Sequence, residues 1–246
     1  MNNLGKAALF AWLIAVPLLA GDADGWTAGR PSFGFRINYF PTRFFDTGTA
    51  TASTTVPAAN YTYTANTDSE KFAVGPSVEY QWSRHFAVEL ELHFHHVEYQ
   101  QITKMASGRA DPSSSTDNRN IVTTQQTSQV NYWELPLLAH YYGLGSKGWW
   151  ARTYLTGGLE YRHVGKVRTG TEFWYPDGTT DYNETPPAPS LANQFGAVAG
   201  AGLRLRVFKV NVTPELRFVR WRGLTFQGTA YRSTRDQFEA GIGFSF

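Results

Sequence analysis

The 246-residue chain contains no cysteine. That excludes a disulfide scaffold, a thiolate metal site and a lipid-anchored N-terminal Cys. Charge of one sign is not in excess either. The formal net charge is +2, which gives no electrostatic case for nucleic acid as a partner. Past residue 20 the chain has no long apolar run, and a helical membrane span needs about eighteen such residues or more. No local motif brings Ser, His and an acid together for nucleophilic catalysis. No catalytic residue is assigned, no enzyme is expected, and no cofactor is implied.

Aromatic residues are plentiful at 15%, glycine occurs 23 times, and mean hydropathy is slightly negative. A membrane β-barrel alternates its apolar half with a polar half, so averaged hydropathy does not register it. The N-terminus has the plan of a secretory signal peptide. Lys6 provides the positive start, and Ala7–Ala20 is apolar except for Pro17. Small residues Ala20, Gly21 and Ala23 precede Asp24. This predicts a signal peptide over 1–23, cut between 20 and 23, and a single domain over 24–246. The apolar run is too short to span a bilayer comfortably.

Period-2 alternation appears eight times, over 32–40, 71–82, from 86 onward, 130–142, 150–163, 193–207, 210–221 and up to 246. Successive strand side chains point to opposite faces, so each run has one apolar and one polar wall. Connections alternate between short turns (83–85, 143–148, 208–209) and long polar loops near 46–70, 100–128 and 164–191. A shorter loop lies near 222–232. Short turns on one rim and long loops on the other is the layout of outer-membrane barrels. With the apolar faces outward, the strand charges all point inward. They are Arg36, Lys71, Glu79, Glu89, Glu91, Glu134, Arg152, Glu160, Arg162, Arg204, Arg206, Glu215, Arg217 and Glu239. Trp82, Phe86, Trp133, Trp149, Trp150, Phe195, Trp221 and Phe238 sit near strand ends, where aromatic girdles are expected.

The chain ends FEAGIGFSF, with Ile242, Phe244 and Phe246 at alternate positions. This resembles the C-terminal strand that the barrel-assembly machinery recognises. The strings YWELPLLAHYYG, TYLTGGLEYRHVG, GAVAGAGLRLRV and VTPELRFVRW resemble strands of the outer-membrane protein β-barrel domain family, which includes PorT-like and OmpA/OmpX-like small barrels. The resemblance spans the strands but not the long loops. It implies an all-β, closed, eight-stranded, antiparallel up-and-down transmembrane barrel in the cell outer membrane of a Gram-negative-type bacterium. Its implied partners are outer-membrane lipid, the assembly machinery and periplasmic chaperones. It carries over no catalytic residue, because fold does not fix function.

Seven inward Glu face six Arg and one Lys. A barrel of eight strands is filled by its own side chains, and buried charges need partners, so a charge-paired plug is expected. A narrow channel for ions or small solutes is the competing expectation. An enzyme acting on lipid or peptide is a further one, for which Ser77, Glu79 and His93 are the closest approach. His93 and His95 share the inward face and could chelate a metal, but no matching ligand spacing is visible elsewhere, so no metal is expected. The Thr- and Tyr-rich 47–67 segment, with NYTYTAN at its centre, alternates as if extending the first hairpin above the membrane. Such loops suit adhesion or binding of an extracellular ligand.

Overall fold

The computed structural model describes residue 29 and residues 31–42, 44–55, 58–69, 71–83, 85–107, 120–143, 152–184 and 192–246. The expected signal segment, Trp149 and Trp150 lie outside the described residues. The strands are β1 (Pro31–Tyr39), β2 (Phe45–Thr47), β3 (Thr49–Thr55), β4 (Ala58–Ser69), β5 (Phe72–Gln81), β6 (Phe86–Glu91), β7 (His93–Ser107) and β8 (Asn120–Tyr142), then β9 (Thr153–Trp174), β10 (Thr180–Glu184), β11 (Asn193–Leu203), β12 (Leu205–Val207), β13 (Val210–Trp221), β14 (Tyr231–Ser233) and β15 (Asp236–Ser245). Every pairing among them is antiparallel.

The main ladder runs β9–β11–β13–β15–β1–β5–β6–β8, and β8 pairs back onto β9. The first and last strands meet with Phe35 opposite Phe244 and Ile37 opposite Ile242. The Phe246 N–H also donates to the Phe33 carbonyl at 3.0 Å. Backbone groups along these strands therefore find partners on both sides, as a lipid-exposed sheet requires.

Side-chain parity is strict. In β5 the residues alternate exposed and buried from Phe72 to Gln81, and β8 does the same from Ser128 to Tyr142. Val78, Leu90, Leu137 and Leu159 are successive register partners, and all four are exposed apolar residues on the outer wall. Toward the long-loop rim the outer wall carries the cross-strand aromatic pairs Tyr39–Phe72, Phe94–Trp133, Tyr161–Phe195 and Phe218–Phe238, with ring centroids 4.7–5.2 Å apart. Together they take one aromatic from each strand position around the ring. Trp82, at 75% exposure, Phe86 and Tyr141 mark the opposite rim.

Trp221 is a correction to the expected girdle. It is fully buried. It shares parity with Glu215 and Arg217, so it points inward with them.

The 49–69 segment is a hairpin, as its alternation suggests, but the other two long loops differ from expectation, because much of them is strand. β8 is 23 residues long and β9 is 22, whereas about 9–11 residues cross a bilayer. At about 3.3 Å per residue, more than half of each stands above the apolar band. Outward residues on β8 turn polar above Trp133, at Asn131, Gln129, Thr127 and Gln125. The 49–69 hairpin pairs through β4 onto β7, building a sheet β10–β9–β8–β7–β4–β3 above the ring. Thr and Gln resist reading as strand because they show no apolar alternation.

The wall assignment has a direct test. Leu137→Arg or Leu159→Arg should cost about 2–4 kcal/mol if these positions face hydrocarbon. Urea titration of refolding into lipid vesicles measures it. Arg at Thr127, on the same β8 face but above the band, should cost far less.

Candidate functional site

The interior is layered. At its centre two guanidiniums alternate with two carboxylates. Arg36 Nη1 lies 2.5 Å from Glu215 Oε2, and Arg36 Nε lies 3.1 Å from Glu91 Oε1. Arg217 grips Glu91 with two bonds of 2.8 and 2.6 Å. Its Nε lies 3.0 Å from Glu215 Oε1. All four side chains are buried. Bidentate guanidinium–carboxylate pairs are the strong kind, and partners are obligatory for charges out of water. Gly243 faces this layer, and a Cβ there would stand 3.2 Å from Arg36 Nη2. Its lack of a side chain leaves room for the Thr213 hydroxyl, which a Cβ would overlap, and for the Arg36 head.

Toward the short-turn rim, Arg204 Nη2 bonds Glu79 at 2.9 Å, and the Tyr142 hydroxyl donates to Glu79 at 2.5 Å. The Arg204 head also lies 3.3 Å from the Tyr142 ring centroid. His140 Nε2 sits 3.0 Å from Glu89. The space among Arg36, Ser77, Glu79, Glu89, His140 and Tyr154 amounts to about 10 Å³, near the least a water needs.

Toward the long-loop rim, Arg162 donates to Glu134 Oε1 through Nε at 2.9 Å and Nη2 at 2.5 Å. It also bonds Gln237 at 2.9 Å and lies 3.7 Å over the Trp221 ring. His95 Nε2 is 2.6 Å from Glu134 Oε2, and its ring stacks on Tyr132. Glu160 and Glu239 are buried close by.

Above this the interior becomes apolar. β1 leaves the wall after Tyr39, and the chain dips inward so that Phe45 is fully buried. β2 there pairs with β14 from the last loop. Phe45 and Phe226 pack with Val97, Tyr99, Val130, Tyr132 and Val164, and Phe44 and Tyr231 pack against them. The result is an aromatic cork over the ionic layers. Sequence periodicity could not reveal it, since its loop residues lie outside any alternating run.

Of the fourteen inward charges expected, the structure brings together Arg36, Glu79, Glu89, Glu91, Glu134, Glu160, Arg162, Arg204, Glu215, Arg217 and Glu239. It leaves out Lys71, Arg152 and Arg206, which are exposed. All three sit at strand ends, where water reaches the charge and no buried partner is needed. His93, His95 and His140 take their place. His93 Nε2 lies 3.1 Å from Glu91 and 3.5 Å from Asn38, so it is committed to these rather than to Ser77.

A family model described as the outer membrane protein beta-barrel domain matches residues 45–225. The chain belongs to that family. It is thus a transmembrane β-barrel protein of the outer membrane. Among solved structures it is similar to the outer membrane protein OprG from Pseudomonas aeruginosa, at 12% identity and TM-score 0.47, over 92% of this chain and 99% of that one. It is also similar to Ail, the attachment invasion locus protein of Yersinia pestis, at 8% identity and TM-score 0.36, over 89% and 100% respectively. No curated protein matches the sequence.

The ionic layer makes its own prediction. Arg162→Met should cost about 3–5 kcal/mol, because it strips the guanidinium from the buried Glu134. The double variant with Glu134→Gln should recover most of that loss, since no lone charge remains. Urea unfolding of the refolded protein reads both. Lys71→Met, at the rim, should leave the midpoint unchanged.

Proposed function

We propose that the ring of strands is a closed eight-stranded barrel with a plugged lumen, and that it serves as a membrane anchor for a binding surface above the outer leaflet. The observation that carries this is the filled interior. Paired charges occupy the membrane level, a space of about 10 Å³ remains beside them, and the aromatic cork lies above. A water-filled path would leave these groups solvated, and a channel needs such a path.

The binding surface is the sheet above the ring. Its polar strands, with the stacked Tyr61 and Tyr63 on β4, form an extended and accessible face. The hairpin at its edge turns on Asp177, whose carboxylate accepts from the Thr179 amide and hydroxyl at 2.9 and 2.7 Å. β3 lies exposed along the opposite edge. A rigid sheet presents contacts at little ordering cost, which suits adhesion to an extracellular ligand better than a mobile loop would. Assembly follows from the C-terminal strand: Ile242, Phe244 and Phe246 form the signal that the barrel-assembly machinery reads, after periplasmic chaperones deliver the chain.

Three measurements test this. In planar bilayers the purified protein should add no conductance, and discrete current steps would promote the channel reading. Thr49 and Thr64 face each other across the first hairpin, so a short Gly-Ser turn replacing 50–63 should preserve the barrel. Cells displaying that variant should bind surfaces less well than cells displaying the parent. Deleting Phe246 should lower the amount inserted in the outer membrane and leave aggregated protein in the periplasm, seen by cell fractionation.

A further inference from the structure

The ionic interior does not balance. Among the described residues, its seven carboxylates face four guanidiniums. The deficit concentrates around Glu134. Ligand atoms of Glu134, Glu160 and Glu239 lie within 4.8 Å of one another. Arg162 is the guanidinium that bonds into this trio, through Glu134. Three carboxylates therefore share one guanidinium and the His95 ring in a space with no bulk water. Glu160 Oε1 is buried and has no hydrogen-bond partner.

The same Glu134 belongs to a second cluster. His93, His95 and Glu134 each offer a ligand atom within 4.8 Å of the other two. Both rings are almost completely buried, and His93 Nδ1 has no hydrogen-bond partner. His93 and His95 lie two apart on β7 and so share a face, and Glu134 is the register partner of His93 on β8. Two imidazoles and a carboxylate on one wall form a facial donor set. Nitrogen donors favour transition metals over calcium or magnesium, and two imidazoles with one carboxylate is a donor set that zinc takes.

We propose that His93, His95 and Glu134 bind a divalent transition-metal ion of the zinc class, with Glu160 and Glu239 supplying the charge that neutralises it. The ion's positive charge would favour the ionised form of these crowded carboxylates. Tetrahedral zinc with bonds of about 2.0–2.2 Å sets its donors about 3.3 Å apart, and with three protein donors its fourth position falls to a water or a neighbouring carboxylate. Binding therefore widens the 2.6 Å His95–Glu134 contact and draws His93 inward. The ion bridges β7 and β8 below the aromatic cork and acts as a structural cross-link. The site stands whether or not the lumen conducts.

The test uses the full chain without a histidine tag, refolded in detergent with zinc and dialysed extensively. Elemental analysis should find about one zinc per chain, as the cluster of His93, His95 and Glu134 offers donors for one ion. His93→Gln/His95→Gln should lose it, while His96→Gln/His163→Gln, at outward-facing histidines away from the cluster, should keep it. Wild type without retained zinc overturns the proposal, and so does a His93→Gln/His95→Gln variant that keeps it. Should that variant fail to fold, cobalt refolded into wild type decides. Intense visible bands of tetrahedral cobalt, bleached by added zinc, support the site, and a spectrum of octahedral aqueous cobalt overturns it.

Discussion

A charge on the inner face of a narrow barrel has nowhere to go but to another charge. The membrane outside supplies no water, and the charged side chains of the interior are buried against one another. The alternating ring of Arg36, Glu91, Arg217 and Glu215 answers that constraint, and much else depends on it. These four residues come from β1, β6 and β13, so the ring ties walls that share no hydrogen-bonded ladder with one another except through intermediate strands. Gly243 is kept small beside it, and the Tyr154 hydroxyl donates to Glu215 at 3.0 Å. A buried ionic layer of this kind is not a cheap source of stability, because desolvation offsets most of the Coulombic gain. Its contribution is specificity: a one-residue slip in any wall strand would turn its charges into lipid.

Parity was the part of this architecture legible in sequence. A two-residue period is local, so Phe35 and Ile37 reveal where Arg36 points without any knowledge of the rest. The strand-end aromatics were only half legible. Trp133 and Phe195 stand where a girdle places them, but Trp221 violates the pattern, and its own parity with Arg217 already said so. Partner choice was not legible at all. Arg36 meets Glu215 across 179 positions, and nothing in either neighbourhood names the other. Strand ends were misread for a different reason. Lys71, Arg152 and Arg206 lie close to the points where the wall meets water, a boundary that depends on membrane depth rather than on period.

The cork shows the same limit in another form. Phe44 and Phe45 belong to a break between two strands that follow almost the same register along β5 and β4. In sequence this looks like the start of a polar loop. In the fold the break is what lets two rings turn inward and meet Phe226 from the far end of the chain. The Thr- and Gln-rich upper part of β8 was likewise hidden, because its residues 121–127 are partly exposed on both faces and no apolar half remains to alternate.

These features divide the molecule by height. Paired ions fill the level of the apolar wall, the histidine and carboxylate cluster lies near its top, and the aromatic cork lies where the outer surface has already turned polar. The inside and outside therefore exchange character at about the same level. Within the bilayer the wall is apolar outward and charged inward; above it, the wall is polar outward and apolar inward. The upper part is consequently built like an ordinary water-soluble β-structure, with its own buried core, continuous with a membrane barrel below. That inversion explains why β8 and β9 can project so far without collapsing. Their inward Val130, Tyr132 and Val164 are held by the cork, so the sheet above rises from a packed base rather than from a frayed rim.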